Sequence, residues 1–300
     1  MTRIAIVGPT ASGKSNLALA AARQVGDVDL VSVDSMQVYR GMDIGTAKPT
    51  IAEQESVRHH CIDLVEATES FTVAEFQRAA HRAVTQIERD GRDLVFVGGT
   101  GLYHRAVIDG FDLPGEFPAA RRAVEAEVAA DGLAAAYRRL ERVDPTAAAR
   151  IEPGNQRRVT RALEVIDGAG RRFSSFGPGV DHYPATDTMQ IGLRWPRQVL
   201  ADRIASRVHA MMDEGLLAEV EALGPMSRTA AQALGYTELR AHLGGAIGLD
   251  EAIEATITRT RQFAVRQERW FRRDPRVRWI DVEPDPVAAA LPAVLDALRR

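Results

Sequence analysis

The chain has 300 residues with a formal net charge of −3, and its 45% hydrophobic and 26% charged residues exclude a mainly disordered protein. No apolar run reaches the roughly 18 residues that a membrane-spanning helix needs, so no membrane contact is expected. The single cysteine, Cys61, excludes an internal disulfide and a cysteine-based zinc site, and we expect a cytoplasmic protein. Only Lys14 and Lys48 are lysines among the 38 basic residues, and the others are arginines.

Five short apolar segments are predicted to be strands. Several of them are continuous apolar runs that alternate with helices, which is typical of a parallel sheet covered on both faces. One of these helices begins with a capping box formed by Thr72 and Glu75 and should run to about Asp90, whereas residues 36–50 are expected to form a long loop. The predicted strands are 3–7, 29–33, 93–97, 189–195 and 277–281.

The middle of the chain changes to a helical pattern. After a break with Pro and Gly at 112–118, amphipathic segments continue to about Gly168, and the strand pattern returns only at 189. We therefore predict an α/β protein whose parallel-sheet core is formed by residues 1–111 and 190–300, with an inserted all-helical domain at 112–189. The C-terminal helices of the core are predicted at 198–214, 216–223, 229–242 and 250–273.

A phosphate-binding motif follows the first predicted strand. Its sequence, GPTASGKS, matches the P-loop pattern GxxxxGK[ST] and lies between a strand and a helix, as this motif requires. In such a loop, backbone N–H groups and the helix N-terminus bind phosphate oxygens, the lysine reaches the outer phosphate, and the serine hydroxyl holds Mg²⁺. The residues predicted to bind a diphosphate or polyphosphate are Gly8, Pro9, Thr10, Ala11, Ser12, Gly13, Lys14 and Ser15.

Two other strand ends should lie beside the P-loop, because ligands of an open parallel sheet bind beyond the carboxyl ends of its strands. Asp34 follows the second strand, where it could act as a general base or hold magnesium through water. Thr100 lies within a glycine-rich run after the third strand. A nucleotide hydrolase or kinase would usually carry a magnesium-binding aspartate at such a strand end, but this chain has Gly98-Gly-Thr there.

Three segments together resemble the tRNA dimethylallyltransferase family, also called tRNA isopentenyltransferases. They are the P-loop, the stretch DSMQVYRGMDIGTAKP at 34–49 and the glycine-rich run GGTGLY at 98–103. The resemblance covers about residues 3–280. Because the chain has one cysteine, it resembles the bacterial form and not the eukaryotic form with a C-terminal zinc finger.

The resemblance implies transfer of the dimethylallyl group from dimethylallyl diphosphate to N6 of the adenosine that is 3′-adjacent to the anticodon of a tRNA, with release of diphosphate. It further implies that Thr10 faces the allylic group and that Lys14 and Ser15, with Mg²⁺, neutralise the leaving diphosphate. The implied catalytic residues are Asp34 as general base, Thr100 in the reaction channel and Arg207 on the diphosphate.

The implied partner is the anticodon stem-loop of tRNA, with the target adenosine flipped out of its stack and the enzyme acting as a monomer. The segment 259–278 has eight arginines against Glu268 and Asp274, a net charge of +6, with aromatic residues between them. It is predicted to follow tRNA phosphates or, alternatively, to be a solvated helix whose aromatics pack on the core. The implied tRNA-binding residues are Asp34, Ser35, Met36, Gln37, Thr100, Arg121, Gln156, Arg157, Arg158, Val159 and Thr160.

Two other functions remain open from the sequence. An adenylate isopentenyltransferase would use the same donor with a free nucleotide as acceptor, and a P-loop kinase of a small metabolite would use 112–189 as its lid. The basic C-terminal helices and the insertion argue against the first, because a free nucleotide needs neither. The strand end without an aspartate argues against the second.

Overall fold

The computed structural model describes residues 1–299. Six parallel strands form one sheet. They are β1 (Arg3–Val7), β2 (Val28–Val33), β3 (His59–His60), β4 (Asp93–Gly98), β5 (Met189–Arg194) and β6 (Val277–Asp281). Their order across the sheet is β3-β2-β4-β1-β5-β6, so β1 lies in the interior between β4 and β5. The predicted α/β class with a parallel sheet is confirmed.

The register of the central strands explains why three loops leave the sheet together. Val7 at the end of β1 pairs with Gly98 at the end of β4, and Gly98 also pairs with Val33 at the end of β2. The three strands therefore end at the same level, and the P-loop, Asp34 and the run after Gly98 begin at one edge. The apolar residues of β1 are at most 1% exposed, as the continuous apolar pattern predicts for a strand covered on both faces.

The helices of the described chain surround the sheet or form the insertion. They are α1 (Lys14–Val25), α2 (Ile51–Ser56), α3 (Val73–Arg89), α4 (Gly101–Ile108), α5 (Pro118–Asp131), α6 (Leu133–Val143), α7 (Pro145–Ala148), α8 (Gln156–Ala169), α9 (Arg197–Asp213), α10 (Leu216–Ala222), α11 (Tyr236–Leu243), α12 (Leu249–Phe271) and α13 (Pro286–Leu298). Short 3₁₀ turns lie at Phe173–Phe176 and Ala230–Gln232. The predicted capping box of α3 is present, because Thr72 Oγ1 accepts from the Glu75 N–H at 3.2 Å and Glu75 accepts from the Thr72 N–H at 2.7 Å.

The chain divides into two compact units. One comprises residues 1–108 and 185–300 and contains the sheet, and the other comprises residues 109–184 and is helical apart from its loops. The sequence placed the insertion at 112–189, and this boundary is wrong for Met189, which pairs with Ile4 as the first residue of β5. The helical unit has its own apolar core, which includes Val124, Leu140 and Leu163.

One predicted helix is interrupted in the structure. The sequence pattern predicted a helix over 229–242, but a 3₁₀ turn ends at Gln232 and α11 begins only at Tyr236. Gly235 between them has a φ of +86°, a left-handed conformation that a continuous α-helix cannot include. The short helices α2 and α4 and the last helix, α13, were not predicted.

No helix within residues 1–299 combines the length and the apolar character that crossing a bilayer requires.

The single cysteine is buried. Cys61 is 5% exposed, and burial raises the pKa of its thiol to about 12. The thiol is therefore protonated at neutral pH and packs as a small apolar side chain within the core.

Candidate active site

The P-loop connects β1 to α1 as predicted, and its two glycines are required by geometry. Gly8 and Gly13 have φ values of +148° and +89°, which glycine adopts without strain. A Cβ on Gly13 would lie 2.4 Å from Pro286 Cγ, at the start of α13. Because Lys14 is the first residue of α1, the positive end of that helix faces the loop and favours an anionic ligand.

Lys14 is held within the loop that it belongs to. Its Nζ donates to the Pro9 carbonyl at 2.6 Å and to Ser12 Oγ at 3.4 Å. Burial and, to a smaller extent, the neighbouring Arg207 lower the pKa of Lys14 to about 7, although Asp34 acts in the opposite direction. A bound anion would stabilise the ammonium, so this lysine is suited to hold a phosphate group.

Two side chains from outside the motif bind carbonyl groups at the tip of the P-loop. Arg203 Nε donates to the Ala11 carbonyl at 3.0 Å, and Trp195 Nε1 donates to the Ser12 carbonyl at 3.1 Å. The Arg203 guanidinium lies 4.2 Å from the centre of the Trp195 ring. These contacts hold the backbone at the tip of the P-loop in place.

Asp34 and Thr100 come from neighbouring strand ends, and the structure brings them to the same rim. Asp34 Oδ1 accepts from the Met36 N–H at 2.8 Å, which leaves its second carboxylate oxygen available to a ligand. Thr100 Oγ1 accepts from the Ser35 N–H at 3.2 Å. The predicted convergence of the loops that follow β2 and β4 is therefore observed.

A cavity of about 110 Å³ lies at this rim, and it adjoins one of about 240 Å³. Both are lined by Lys14, Ser15, Pro49, His59 and Arg207, so they form parts of one site. The residues that line the cavity of about 110 Å³ are Thr10, Lys14, Ser15, Leu30, Ser32, Asp34, Gln37, Thr46, Ala47, Pro49, His59, Val97, Gly98, Gly99, Arg207, Phe263 and Gln267.

Arg207 reaches this cavity from α9. Burial lowers the pKa of its guanidinium, and the carboxylate of Asp34 counteracts that effect. A cation with a lowered pKa gains most from an anionic partner, because the partner replaces the water that burial removed. Lys14, Arg207 and Asp34 thus line the same cavity, which brings two basic groups and one carboxylate together.

The sequence did not predict the role of Gln267, which lies on the buried side of α12 and is 6% exposed. Its Oε1 accepts from the Thr10 N–H at 2.9 Å, and its Nε2 donates to the Gly99 carbonyl at 2.9 Å. A signal was present in the sequence, because Phe263, Gln267 and Phe271 follow an i, i+4, i+8 spacing. A polar residue in a buried stripe indicates a specific hydrogen-bonding task.

Gln37, which is predicted to bind tRNA, lines the cavity and also makes hydrogen bonds within the protein. Its side chain is buried, Oε1 accepts from Ser32 Oγ at 2.7 Å, and Nε2 donates to the carbonyls of Thr46 and Ala47 at 3.1 Å each. Both of its N–H groups are thus used within the protein. In this structure Gln37 supports the loop 43–49 beside the cavity.

The implied tRNA-binding residues of the helical unit fall into three groups. Gln156, Arg157 and Arg158 are exposed in the first turn of α8 and are accessible to a partner. Val159 and Thr160 are 0% and 4% exposed, so their side chains are buried within the helical unit, and their contact with tRNA stays a prediction. Arg121 stands apart from both, because it is partly exposed and pairs with Glu125 at 2.9 Å.

The basic segment 259–278 has exposed cations and buried aromatics. Arg266 and Arg269 are exposed on α12, without a carboxylate partner in the described chain, whereas Arg272 pairs with Glu268 at 2.8 Å. The aromatic ring of Phe271 is 1% exposed. Phe263 lines the cavity, and a Cβ on Gly101 would lie 2.1 Å from the Trp270 ring. The structure therefore shows arginines that face solvent and aromatics that pack on the core, and binding of tRNA phosphates along this segment stays a prediction.

Comparison with known proteins gives relatives of nearly the same length. The tRNA dimethylallyltransferase of Pseudarthrobacter chlorophenolicus is 46% identical and covers 96% of this chain and 96% of its own length. The enzyme of the same name from Salinispora arenicola is 47% identical over 99% of this chain and 86% of its own.

Solved structures agree with these relatives. A tRNA isopentenylpyrophosphate transferase from Bacillus halodurans is 40% identical, with a TM-score of 0.70 over 99% of this chain and 97% of that chain. A eukaryotic dimethylallyltransferase acting on tRNA is 26% identical, with a TM-score of 0.76 over 93% of this chain and 73% of that chain. The family model for IPP transferase matches residues 37–274. The chain therefore belongs to the IPP transferase family of prenyl-transferring enzymes.

Proposed function

We propose that this chain transfers the dimethylallyl group from dimethylallyl diphosphate to N6 of the adenosine 3′-adjacent to the anticodon of a tRNA and releases diphosphate. The observation that carries the proposal is that the Asp34 carboxylate and the Lys14 and Arg207 cations line one cavity. A carboxylate can accept the proton of an attacking amine, and the cations can bind a leaving diphosphate. The names of the relatives support the same reaction.

The proposed step is a substitution at C1 of the donor. The N6 lone pair forms a bond to C1 as the C1–O bond breaks, and the bonding electrons leave with the diphosphate. Asp34 accepts the proton that N6 loses, which avoids a positively charged product amine. Because the donor already carries its leaving group, most of the barrier falls to positioning and to charge stabilisation by Lys14 and Arg207.

Mg²⁺ is proposed as the metal, with Ser15 as its protein ligand. Ser15 follows Lys14 in the P-loop and lines both parts of the cavity, which supports a role for its hydroxyl beside a bound diphosphate. Magnesium commonly takes few protein ligands and completes its octahedron with phosphate oxygens and water, and this donor set fits that preference. When bound, the ion would supply positive charge to the leaving diphosphate.

The anticodon stem-loop is proposed as the tRNA element that the enzyme recognises. The target adenosine would have to leave its stack to reach a cavity at the rim of the sheet. Exposed arginines on two helices, Arg157 and Arg158 on α8 and Arg266 and Arg269 on α12, would bind phosphates. Thr100, beside Ser35 at the rim, is proposed to line the path of the flipped base.

We further propose that the enzyme acts as a monomer in the cytoplasm, where its tRNA substrate is used. A single chain supplies the proposed base, the cations and the cavity walls. A molar mass of 32.7 kDa in solution, measured by light scattering, would agree with a monomer. A mass of about twice that value, unchanged on dilution, would contradict it.

The test of the proposed reaction offers labelled dimethylallyl diphosphate to three acceptors. They are an unmodified anticodon stem-loop, the same stem-loop with guanosine at the target position, and AMP. Label should enter only the first, and nuclease digestion should yield an N6-modified adenosine. Transfer to AMP would favour an adenylate isopentenyltransferase. Phosphate transfer from ATP to any small metabolite would favour the kinase.

A further inference from the structure

Lys48 binds three acceptors from one buried position. Its side chain is 3% exposed, and Nζ donates to the Tyr39 carbonyl at 2.8 Å, to Asp43 Oδ1 at 2.5 Å and to Asp63 Oδ1 at 2.6 Å. An ammonium group has three donors, so all of them are used. The proposed reaction assigns no role to Tyr39, Asp43 or Asp63.

The arrangement explains why a lysine stands at this position. Thirty-eight residues are basic, yet only Lys14 and Lys48 are lysines. Three acceptors around one nitrogen suit a compact ammonium whose donors radiate from a point. A planar guanidinium presents its donors in a fork and cannot satisfy the same three acceptors from one atom.

The segment held by Lys48 is part of the cavity wall. Thr46, Ala47 and Pro49 line the cavity together with Lys14 and Arg207. Ala47 has a φ of +46°, which costs backbone energy for a residue with a side chain. Such a conformation persists only where the surroundings determine it, and the residue that follows Ala47 is Lys48.

A second contact holds the start of the same segment. The carboxylate of Glu219 accepts from three successive backbone N–H groups, those of Asp43, Ile44 and Gly45, at 3.0, 2.7 and 3.2 Å. Tyr236 donates its hydroxyl to the same carboxylate at 2.5 Å. The segment 43–49 is therefore fixed at its first residues by Glu219 and at its last residues by Lys48.

We propose that Lys48 is a positioning residue for the isoprenoid diphosphate: its contacts with Asp43, Asp63 and the Tyr39 carbonyl hold the wall formed by residues 46–49 in the shape that the donor requires. The inference rests on the proposed function, since it assigns the donor to this cavity. Lys48 itself lines the adjoining part of the cavity, but its three donors are used by Tyr39, Asp43 and Asp63, so the inference assigns it no hydrogen bond with the donor.

The test compares variants that break the contacts in different ways. Lys48→Met removes all three hydrogen bonds, and Lys48→Arg keeps the charge with the wrong geometry. Asp63→Asn removes one charged partner at no backbone cost, because Asp63 has a φ of +52° and asparagine tolerates that region equally well. Arg40→Gln is the matched control, since Arg40 lies shortly before this segment in the chain and pairs at the surface with Glu66 at 2.9 Å.

The KM and kcat for dimethylallyl diphosphate are measured at saturating stem-loop, and the Kd of inorganic diphosphate is measured by calorimetry, in all cases well below the melting temperature. We expect Lys48→Met and Lys48→Arg to raise the donor KM by about 10- to 100-fold, and Asp63→Asn by about threefold to tenfold, as loss of charge-assisted hydrogen bonds implies. The kcat and the stem-loop affinity should change little, and Arg40→Gln should match the wild type.

An unchanged donor KM in Lys48→Arg and Asp63→Asn, with only a lower Tm, would overturn the inference and leave Lys48 a scaffold residue. If Lys48→Met does not fold, those two variants decide the question alone. Failure of the proposed function would look different, because the wild type would then transfer no label to the stem-loop. The Kd of inorganic diphosphate would still show whether Lys48 shapes the cavity.

Discussion

Gln267 on α12 accepts a hydrogen bond from the backbone N–H of Thr10 in the P-loop at 2.9 Å. The same amide donates to the carbonyl of Gly99, so one side chain connects the P-loop to the loop after β4. A Cβ on Gly99 would lie 2.2 Å from Gln267 Nε2, so any other residue at this position would displace the Gln267 amide. Gln267, from the C-terminal part of the core, thus sets the distance between the P-loop and the loop after β4.

Gln267→Glu should destabilise the protein and weaken donor binding, although glutamate and glutamine have nearly the same shape. The variant places a carboxylate oxygen against the Gly99 carbonyl in a buried position, so a donor is removed and two acceptors face each other. We expect the free energy of unfolding to fall by about 1–3 kcal/mol and the donor KM to rise. Gln262→Glu, an exposed change on the same helix, is the control. Equal effects of the two variants, in urea unfolding and in steady-state kinetics, would contradict this role.

Asp34→Asn should keep the fold and abolish most of the activity. The asparagine carbonyl can still accept from the Met36 N–H, so the rim should be preserved, but an amide cannot take the proton from N6. Single-turnover rates should fall by roughly 10²–10⁴, the usual range for removal of a general base. Asp213→Asn, an exposed change at the end of α9, should have no effect. A near-normal rate in the Asp34 variant would remove the general-base assignment.

Two exposed arginines of α12 should contribute counterion release to tRNA binding. Replacing Arg266 and Arg269 by glutamine should weaken stem-loop binding, and the slope of log K against log salt should become shallower by about 0.9 for each phosphate that is no longer neutralised. Arg3→Gln with Arg89→Gln serves as the control. Both residues lie near the edge of the sheet where β1 and β4 begin, which is opposite to the edge that carries the P-loop. Filter binding at several salt concentrations gives the slopes. Identical slopes for all three proteins would assign tRNA binding to the helical unit.

The helical unit should lose stability in acid through Asp144. This buried carboxylate accepts from the Ala147 N–H at 3.0 Å and from the Ser174 N–H and hydroxyl at 2.8 and 2.7 Å. Although burial raises its pKa, these hydrogen bonds bring the pKa below the ordinary value of 3.8. Because the pKa is lower in the folded state, the contribution is complete above 3.8 and is lost as the pH falls through the folded-state value.

Asp144→Asn measures that contribution. The variant should be less stable than the wild type by about 1–3 kcal/mol at pH 7. The difference should shrink as the pH falls below 3.8, since the carboxyl of the unfolded wild type then becomes protonated. Asp131→Asn, an exposed change in the same unit, should not show this pattern. Circular dichroism during thermal unfolding at neutral and at acid pH gives the comparison. A difference that does not depend on pH would contradict the assignment.

The parts of the site that could be predicted from the sequence are those that one short segment contains. The P-loop is contiguous, and its glycines, Lys14 and Ser15 are fixed relative to each other by one turn. Asp34 could be added because parallel strands end at one edge, which is a property of the sheet. The resemblance supplied Arg207, for which neither of these arguments was available.

Gln267 and Lys48 could not be predicted because their partners are remote or depend on backbone detail. Gln267 lies 168 positions from Gly99, and nothing local in α12 indicates which loop its amide meets. The role of Lys48 depends on the left-handed conformations of Ala47 and Asp63, residue types that do not signal such a conformation as glycine would. The interruption before α11 was missed for the opposite reason, since Gly235 was visible but its neighbours continue a helical pattern.

The buried state of Cys61 has a practical consequence for spectroscopy. Because its thiol is enclosed and its pKa is about 12, maleimide reagents should leave the natural chain unlabelled at neutral pH. A cysteine introduced at an exposed site, such as Asp131 on α5 or Leu243 on α11, would then be the single reactive thiol without any background substitution. The protein is thus ready for site-specific fluorophores or spin labels that follow the two units separately as tRNA binds.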